Sequence, residues 1–266
     1  MPAQAPGEPS VPPARPAAPE HDAPARHLRV ATFNIHHGRG PDGRLDLRRV
    51  ADVIRRGQAD VAGLQEVDRH YSERSGSVDQ ATWLAAELGM DVAYGANLDL
   101  DPPAPGDPRR QYGTAILSRF PIRDSGNTFL PGFPGSEQRG LLRATIVVHG
   151  VPVRICTTHL QDDDAAERLE QARAVQALIA GRQGPVILTG DFNALPGTPE
   201  IRVLASSLRD AWSQAGAGAG HTYPATGSRI DYVFASPEVE VRSATVVAGD
   251  ASDHLPIFVD VLLPEG

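Results

Sequence analysis

The chain has 266 residues, 41% hydrophobic and 22% charged, with a formal net charge of −8; this ordinary composition excludes wholesale disorder, and no apolar run approaches the roughly 20 residues that cross a bilayer. An acidic chain argues against a broad basic footprint for nucleic acid, although carboxylates gathered round a cation add negative charge that the ion neutralises. All 25 strong cations are arginine, so a phosphate clamp would be Arg, His, metal or backbone amide, and the single cysteine, Cys156, excludes an internal disulfide and a cysteine-rich zinc site.

Residues 1–26 are mostly Pro and Ala, with too few large apolar side chains to bury a core, and read as an extended, disordered tail. They lack the basic start and apolar centre of a signal peptide, which leaves the location open between cytoplasmic and, if a signal was removed, secreted. Residues 27–266 read as one domain. Leu28–Phe33 is a strand running into the polar cluster Asn34-Ile35-His36-His37-Gly38. Leu47, Val50, Ala51 and Ile54 recur at helical spacing, with Asp46 as N-cap and Gly57 as terminator. Asp60–Leu64 is a buried strand ending at Gln65-Glu66. Asp79–Leu88, closed by Gly89, is a second helix. Asp99–Gln111, rich in Pro and charge, reads as a long loop at a substrate rim. Tyr112–Arg119 is a strand, and Leu141–Val148 with Val151–Thr158 is a hairpin turning at His149-Gly150. Ala165–Ala180 is an amphipathic helix with Leu169, Ala172, Val175, Leu178 and Ile179 on one face. Pro185–Thr189 leads as a strand into Gly190-Asp191-Phe192-Asn193, and Thr198-Pro199-Glu200 starts a short helix. Gln214–Gly220 is a Gly/Ala loop, and strands follow at Arg229–Ala235, Val239–Val247 and Leu255–Leu263. Hairpins mixed with helical crossovers predict an α/β fold of two packed mixed sheets covered by helices.

Polar residues recur where strands end: Asn34, Glu66, His159, Asp191 with Asn193, Asp231, and Asp253 with His254. In α/β folds such ends converge on one edge, where ligands bind. Carboxylate and amide oxygens suit a hard ion such as Mg2+ or Mn2+, whereas the histidines are too few and too separated for the usual zinc set. A metal on a phosphoryl oxygen stabilises developing charge; a carboxylate can take a proton from water, and a histidine can donate to the phosphoryl oxygens.

Thr32-Phe33-Asn34-Ile35, Leu64-Gln65-Glu66-Val67, Thr158-His159-Leu160, Gly190-Asp191-Phe192-Asn193, Arg229-Ile230-Asp231-Tyr232 and Ser252-Asp253-His254-Leu255-Pro256 resemble, in order, the motifs of the endonuclease/exonuclease/phosphatase superfamily, over essentially all of residues 27–263. Thr32–Gly38, Leu64–Asp68 and the pairs Arg74-Ser75 and Asp79-Gln80 look most like its small bacterial metal-dependent hydrolases, grouped with sphingomyelinase-like and lipid-remodelling members, and less like the abasic-site endonucleases. The resemblance implies a four-layer α/β sandwich of the deoxyribonuclease-I type and a Mg2+- or Mn2+-dependent phosphoesterase working by in-line attack of water. It implies Glu66 as principal metal ligand with Asn34 and Asp253 beside the ion. Asp191 would position and deprotonate the water, and Asn193 would hold the phosphoryl group or the nucleophile. His254 would contact the phosphate with Asp231 fixing its tautomer, and His159 would bind phosphate or act as general acid. Arg139, in Gln138-Arg139-Gly140, matches a position carrying Arg near the site. Tyr112 is expected to pack beneath the site with its hydroxyl near phosphate, while His36 and His37 read as rim residues, His37 being a candidate substrate contact.

The substrate stays open among three readings: a small or lipid-linked phosphoester, such as an inositol phosphate or phospholipid met by peripheral membrane contact; a nucleic acid, with Arg109, Arg110, Arg119, Arg123, Arg139 and Arg143 as phosphate track; or a non-enzymatic binding role on the same fold. A monomer is expected.

Overall fold

The computed structural model describes residues 26–181 and 183–265, so the stretch read as a tail lies outside the described residues except for Arg26. In chain order the elements are β1 (His27–Asn34), α1 (Leu47–Arg56), β2 (Val61–Arg69), α2 (Gln80–Leu88), β3 (Asp91–Leu100), β4 (Arg110–Ser118), β5 (Ile122–Phe129), β6 (Gly140–Val148), β7 (Val151–His159) and α3 (Ala165–Ala180). They continue with β8 (Val186–Asp191), α4 (Pro199–Ala205), β9 (Arg209–Asp210), α5 (Ala211–Ala215), β10 (Asp231–Ala235), β11 (Glu240–Val246) and β12 (Ile257–Leu262). The helices start where the sequence supplies caps. The Asp46, Asp79 and Asp164 carboxylates accept from backbone amides of α1, α2 and α3, and Gly89 ends α2 at φ 64°, in the left-handed region that glycine occupies at least cost.

Two six-stranded mixed sheets form, in the orders β11-β12-β1-β2-β4-β3 and β5-β6-β7-β8-β10-β9. Each contains one parallel pair joined through a helix: β1 with β2 through α1, and β7 with β8 through α3. Apolar side chains of both sheets, among them Val30, Ile116, Ile155, Ile187 and Val259, fill the space between them. On the outer faces Val50, Ile54 and Leu84 of α1 and α2 pack on one sheet, and Ala172, Val175, Ile179 and Leu204 of α3 and α4 on the other. Each fully buried large aliphatic contributes about 1.5–3 kcal/mol, which holds the helices where propensity alone would not. The layers run helix, sheet, sheet, helix.

Three expectations are corrected. Asp99–Gln111 is not all loop: β3 and β4 pair as far as Asp99 with Gln111 and Leu100 with Arg110, leaving 101–109 as the connection. That connection does not line the cleft described below; the wall comes instead from the β5–β6 segment through Gly135, Ser136 and Glu137. The buried stripe of α3 runs Glu167, Gln171, Ala172, Val175, Ile179, while Leu178 is 40% exposed. Polar residues enter that stripe because they brace the same wall: Gln171 Nε2 donates to Pro131 O, and Ser136 Oγ donates to Glu167 Oε1. Finally, the Gly/Ala loop begins at Gly216, since Gln214 and Ala215 belong to α5.

Sheet register sets the site. In one sheet Asn34, the last residue of β1, is opposite Gln65 of β2. In the other, Asp191 of β8 is opposite both His159 of β7 and Asp231 of β10. The sheets approach closely here, for a Cβ on Gly63 would lie 2.0 Å from Thr189 Oγ1.

Candidate active site

Gln65 points into the space between the sheets, where its Nε2 donates to Thr157 Oγ1 at 2.8 Å and to Thr32 Oγ1 at 3.3 Å. Strict alternation along β2 would then send Glu66 to the opposite face, into the helix layer. A bulge between Leu64 and Val67 prevents this: Glu66 takes φ 57°, and its carboxylate turns to the sheet edge. Asn193, at φ 49°, and His36 and His37, each at φ 44°, hold the same left-handed conformation around the same edge. Such residues cost about 1–3 kcal/mol each and persist where surrounding structure fixes them, typically at functional sites.

Asn34 joins the two sheets. Its Nδ2 donates to Glu66 Oε1 at 2.9 Å and to Asp191 Oδ2 at 3.0 Å, while its Oδ1 accepts from the His36 amide. Ser252 Oγ donates to the Asn34 carbonyl at 2.7 Å and accepts from the His254 amide at 3.2 Å, which fixes the Asp253-His254 segment over β1. His254 Nδ1 meets Asp231 Oδ2 at 2.9 Å, leaving Nε2 directed towards Asp191, 3.6 Å from Oδ2. Asn193 Nδ2 donates to the Leu160 carbonyl at 3.0 Å, and that bond identifies the amide nitrogen because a carbonyl only accepts. The same Nδ2 lies 3.1 Å from His159 Nε2, which is also 3.6 Å from Asp191 Oδ2.

Electrostatics separate the two histidines. Burial lowers His159 well below the usual imidazole range, and the charges of Arg139 and His254 add to this. Burial also acts to lower His254, but the Asp231 charge and hydrogen bond, with Asp191 and Asp253, outweigh it and hold His254 at about 10. Asp191 is raised to about 7, first by burial and then by the Asp231 charge, with His254, the Asn34 amide and the Asn193 backbone acting in the opposite direction. These shifts favour the charged form of His254 and the neutral form of His159.

The cleft has a volume of about 520 Å³ and is lined by Glu66, Asp191, Asn193, Asp253, His159 and His254, with Tyr112, Arg139, Gln161 and Tyr223 among its walls. Asn34 and Asp231 lie just beneath, fully buried. Arg139 is 5% exposed in its side chain and bound by Glu137, Gln161 and Asp162. Tyr112 is buried on the Glu66 side, and burial raises its hydroxyl well above the usual phenol range. His37 is not among the lining residues; it lies behind Glu66, and one ring nitrogen each of His36 and His37 and a Glu66 oxygen fall within 4.8 Å of one another. This turn departs from the expectation of scattered histidines. Burial, followed by the neighbouring His36 and Arg74 charges, lowers His37 to about 4.

The donor set matches a hard divalent cation. Among the described residues Glu66 receives one side-chain hydrogen bond, from Asn34, and pairs with no arginine, and Asp253 opens its carboxylate to the same cleft. Two carboxylates at a cleft floor are the oxygen-rich environment such an ion takes.

Sequence reading gave no role to four residues that build the site: Ser252, Tyr223, whose ring lies 4.8 Å from that of His254, Thr222, whose Oγ1 accepts from the Asp231 amide, and Gln80. Ser252 and Gln80 sat inside motifs, but Tyr223 and Thr222 follow a Gly/Ala loop and carry no local signal. Gln80 Nε2 donates to the His37 carbonyl at 2.6 Å and its Oε1 accepts from the Asp68 amide, clamping the His36-His37 turn to β2. Arg74 grips Asp68 with two hydrogen bonds, which explains the Arg74 and Gln80 positions as a brace beneath the bulge.

A model of the endonuclease/exonuclease/phosphatase family matches residues 31–254. Among solved structures, an endonuclease/exonuclease/phosphatase from Beutenbergia cavernae is 33% identical with a TM-score of 0.77, over 90% of this chain and 72% of that one. A mannosyl-6-phosphatase from Bacteroides thetaiotaomicron has 22% identity and a TM-score of 0.69, over 89% of this chain and 100% of that one. The human Nocturnin catalytic domain with bound sulfate has 22% identity and a TM-score of 0.68, over 90% of this chain and 95% of that one. At these two identities the likeness is one of fold. Protein cwh43 of Schizosaccharomyces pombe is 29% identical over 159 residues, 59% of this chain, and the matched part spans 15% of the length of that curated relative.

Proposed function

Because the chain belongs to the endonuclease/exonuclease/phosphatase family, we propose that it is a metal-dependent hydrolase whose cleft cleaves a phosphodiester or phosphomonoester on a small or lipid-linked substrate. The observation that supports this chemistry is the Asn34 amide, which donates to both Glu66 and Asp191: in this reading Glu66 is the metal carboxylate and Asp191 the base. Glu66 and Asp253 would hold a divalent ion, Mg2+ or Mn2+, with Asn34 beside it. Bound there, the ion supplies charge stabilisation at a phosphoryl oxygen.

In this reading Asp191, raised to about 7, is poised near neutral pH as the base that takes the proton from the attacking water. His254, held protonated by Asp231, donates from Nε2 to a phosphoryl oxygen as negative charge grows there. Neutral His159 and Asn193 hold the nucleophile side, and Arg139, already bound by Glu137 and Asp162, offers a charge at the wall.

Two features favour a small or lipid-linked substrate over nucleic acid. Of the arginines considered as a phosphate track, Arg109 is paired with Asp99 and Asp101, and Arg119 follows the β4 end that pairs with Val61, at the far end of β2 from Glu66, so of these three only Arg139 lines the cleft. Beside the cleft the β5–β6 segment exposes Phe133, which is 40% exposed and whose hollow shares Gly135, Ser136 and Gln161 with the cleft. An apolar side chain left in water at a polar cleft suits an acyl chain or a membrane surface. The test offers purified protein in Mg2+ a phospholipid vesicle, an inositol phosphate and supercoiled plasmid, with Asp191→Ala in parallel. Ester cleavage of lipid or small substrate by wild type alone is expected. Plasmid nicking by wild type and not by the variant, with the other substrates intact, overturns the substrate reading in favour of a nuclease.

A further inference from the structure

We propose a second, nitrogen-containing cation position behind the cleft, formed by His36, His37 and Glu66, that takes a borderline divalent transition ion such as Zn2+. It rests on the reading above for one ligand, Glu66, and adds two imidazoles which that reading leaves unused.

Four observations carry it. One donor atom from each of the three residues lies within 4.8 Å of the others, a spread that small side-chain rotations close. His37 is 6% exposed, and its buried Nδ1 has no hydrogen-bond partner among the described residues; the buried His36 Nδ1 likewise makes none and lies 3.4 Å from Asp253 Oδ1. Buried imidazole nitrogens without partners are uncommon and point to a ligand. All three residues adopt left-handed backbone, at φ 44°, 44° and 57°, so the same unfavourable conformation that takes each of them off its expected course also brings their side chains together. Lastly, Gln80 fixes the turn from below, so the donors are held by bonds that do not involve the donors themselves.

The chemistry distinguishes this position from its neighbour. Glu66 and Asp253 offer oxygen only and suit a hard ion, whereas two imidazoles and one carboxylate favour a borderline ion.

The test titrates metal-free full-length protein by calorimetry with Zn2+ alone and, separately, with Mg2+ alone, comparing wild type with His36→Asn and with His36→Asn/His37→Asn. Asparagine tolerates left-handed backbone, so the turn is kept. The absorption of added Co2+ gives a second readout, since nitrogen ligation shifts and intensifies its visible bands. The double variant is expected to lose about tenfold or more in Zn2+ affinity and the Co2+ bands, with Mg2+ affinity within about twofold of wild type; retained Mg2+ binding also shows that the variant is folded. Unchanged Zn2+ affinity in the double variant, or equal losses for both ions, overturns the proposal. Glu66→Gln separates the two readings: loss of both ions supports both, whereas loss of Zn2+ with Mg2+ untouched keeps the imidazole position and overturns the oxygen-ligand assignment.

Discussion

Asp191 is 1% exposed and faces a second buried carboxylate, Asp231. Its unfolded counterpart titrates near 3.9, so a folded value of about 7 means that the folded protein binds the additional proton between those values. Stability therefore falls as pH rises from about 4 to about 7 and stays reduced above that. Asp191→Asn should raise the Tm of metal-free protein at pH 8, show little effect at pH 3, and cut turnover by about 10²- to 10⁴-fold; an unchanged Tm at pH 8 would contradict the buried-charge account. For the wild type, kcat/KM should rise with ionisation of Asp191 through about 7 and decline as His254 loses its proton through about 10. Burial works against the His254 cation and Asp231 is the first group opposing it, so Asp231→Asn should move the alkaline limb to lower pH and be milder than His254→Ala. An alkaline limb that stays in place would remove Asp231 from its orienting role.

At the scale of elements, the site depends on where β2 stops obeying alternation. The brace of Asp68, Arg74 and Gln80 lies beneath the bulge at Glu66 and ties β2 to the His36-His37 turn. Gln80→Ala leaves the Asp68 amide and the His37 carbonyl without their partner in a buried setting, which costs about 1–3 kcal/mol per unsatisfied group. Urea denaturation should show that loss, and Mg2+ affinity should weaken with it because Glu66 loses its fixed aim. A variant with full stability and full metal affinity would show that β2 keeps its bulge unaided.

For the molecule as a whole, three apolar clusters among the described residues hold the sheets and helices together. The site by contrast gathers Glu66, Asp191 and Asp253 in one cleft above buried Asp231. Chelation should therefore abolish activity while far-ultraviolet circular dichroism is unchanged. Mg2+ at 100 times its Kd should add about 2.7 kcal/mol, roughly 5–10 °C in Tm for a domain of this size. Unfolding on chelation would mean that the cores are insufficient, and no Tm response to Mg2+ would mean that these carboxylates do not hold the ion.

Much of this was legible in the chain. Period-2 runs, aspartate caps and glycine stops marked most strands and helices within a residue or two, because those signals act between neighbours. β3 and β5 were not recognised: Asp91–Leu100 mixes Gly, Asn and Asp, and Ile122–Phe129 is an exposed edge with little apolar alternation, so only pairing with β4 and β6 makes them strands. Ordered motifs likewise indicated which polar residues to consider; Asn34, His159, Asp191 and Asp231 do sit at strand ends, whereas Glu66 sits at a bulge within β2. The motifs could not supply the register that sets Asp231, Asp191 and His159 in one row, the bulge that turns Glu66, or the bond by which Asn34 ties one sheet to the other across 157 positions of sequence. Local propensity is written residue by residue and survives in the sequence; the geometry of the cleft arises where two sheets meet, and only the packed structure fixes which long-range neighbours share a charge.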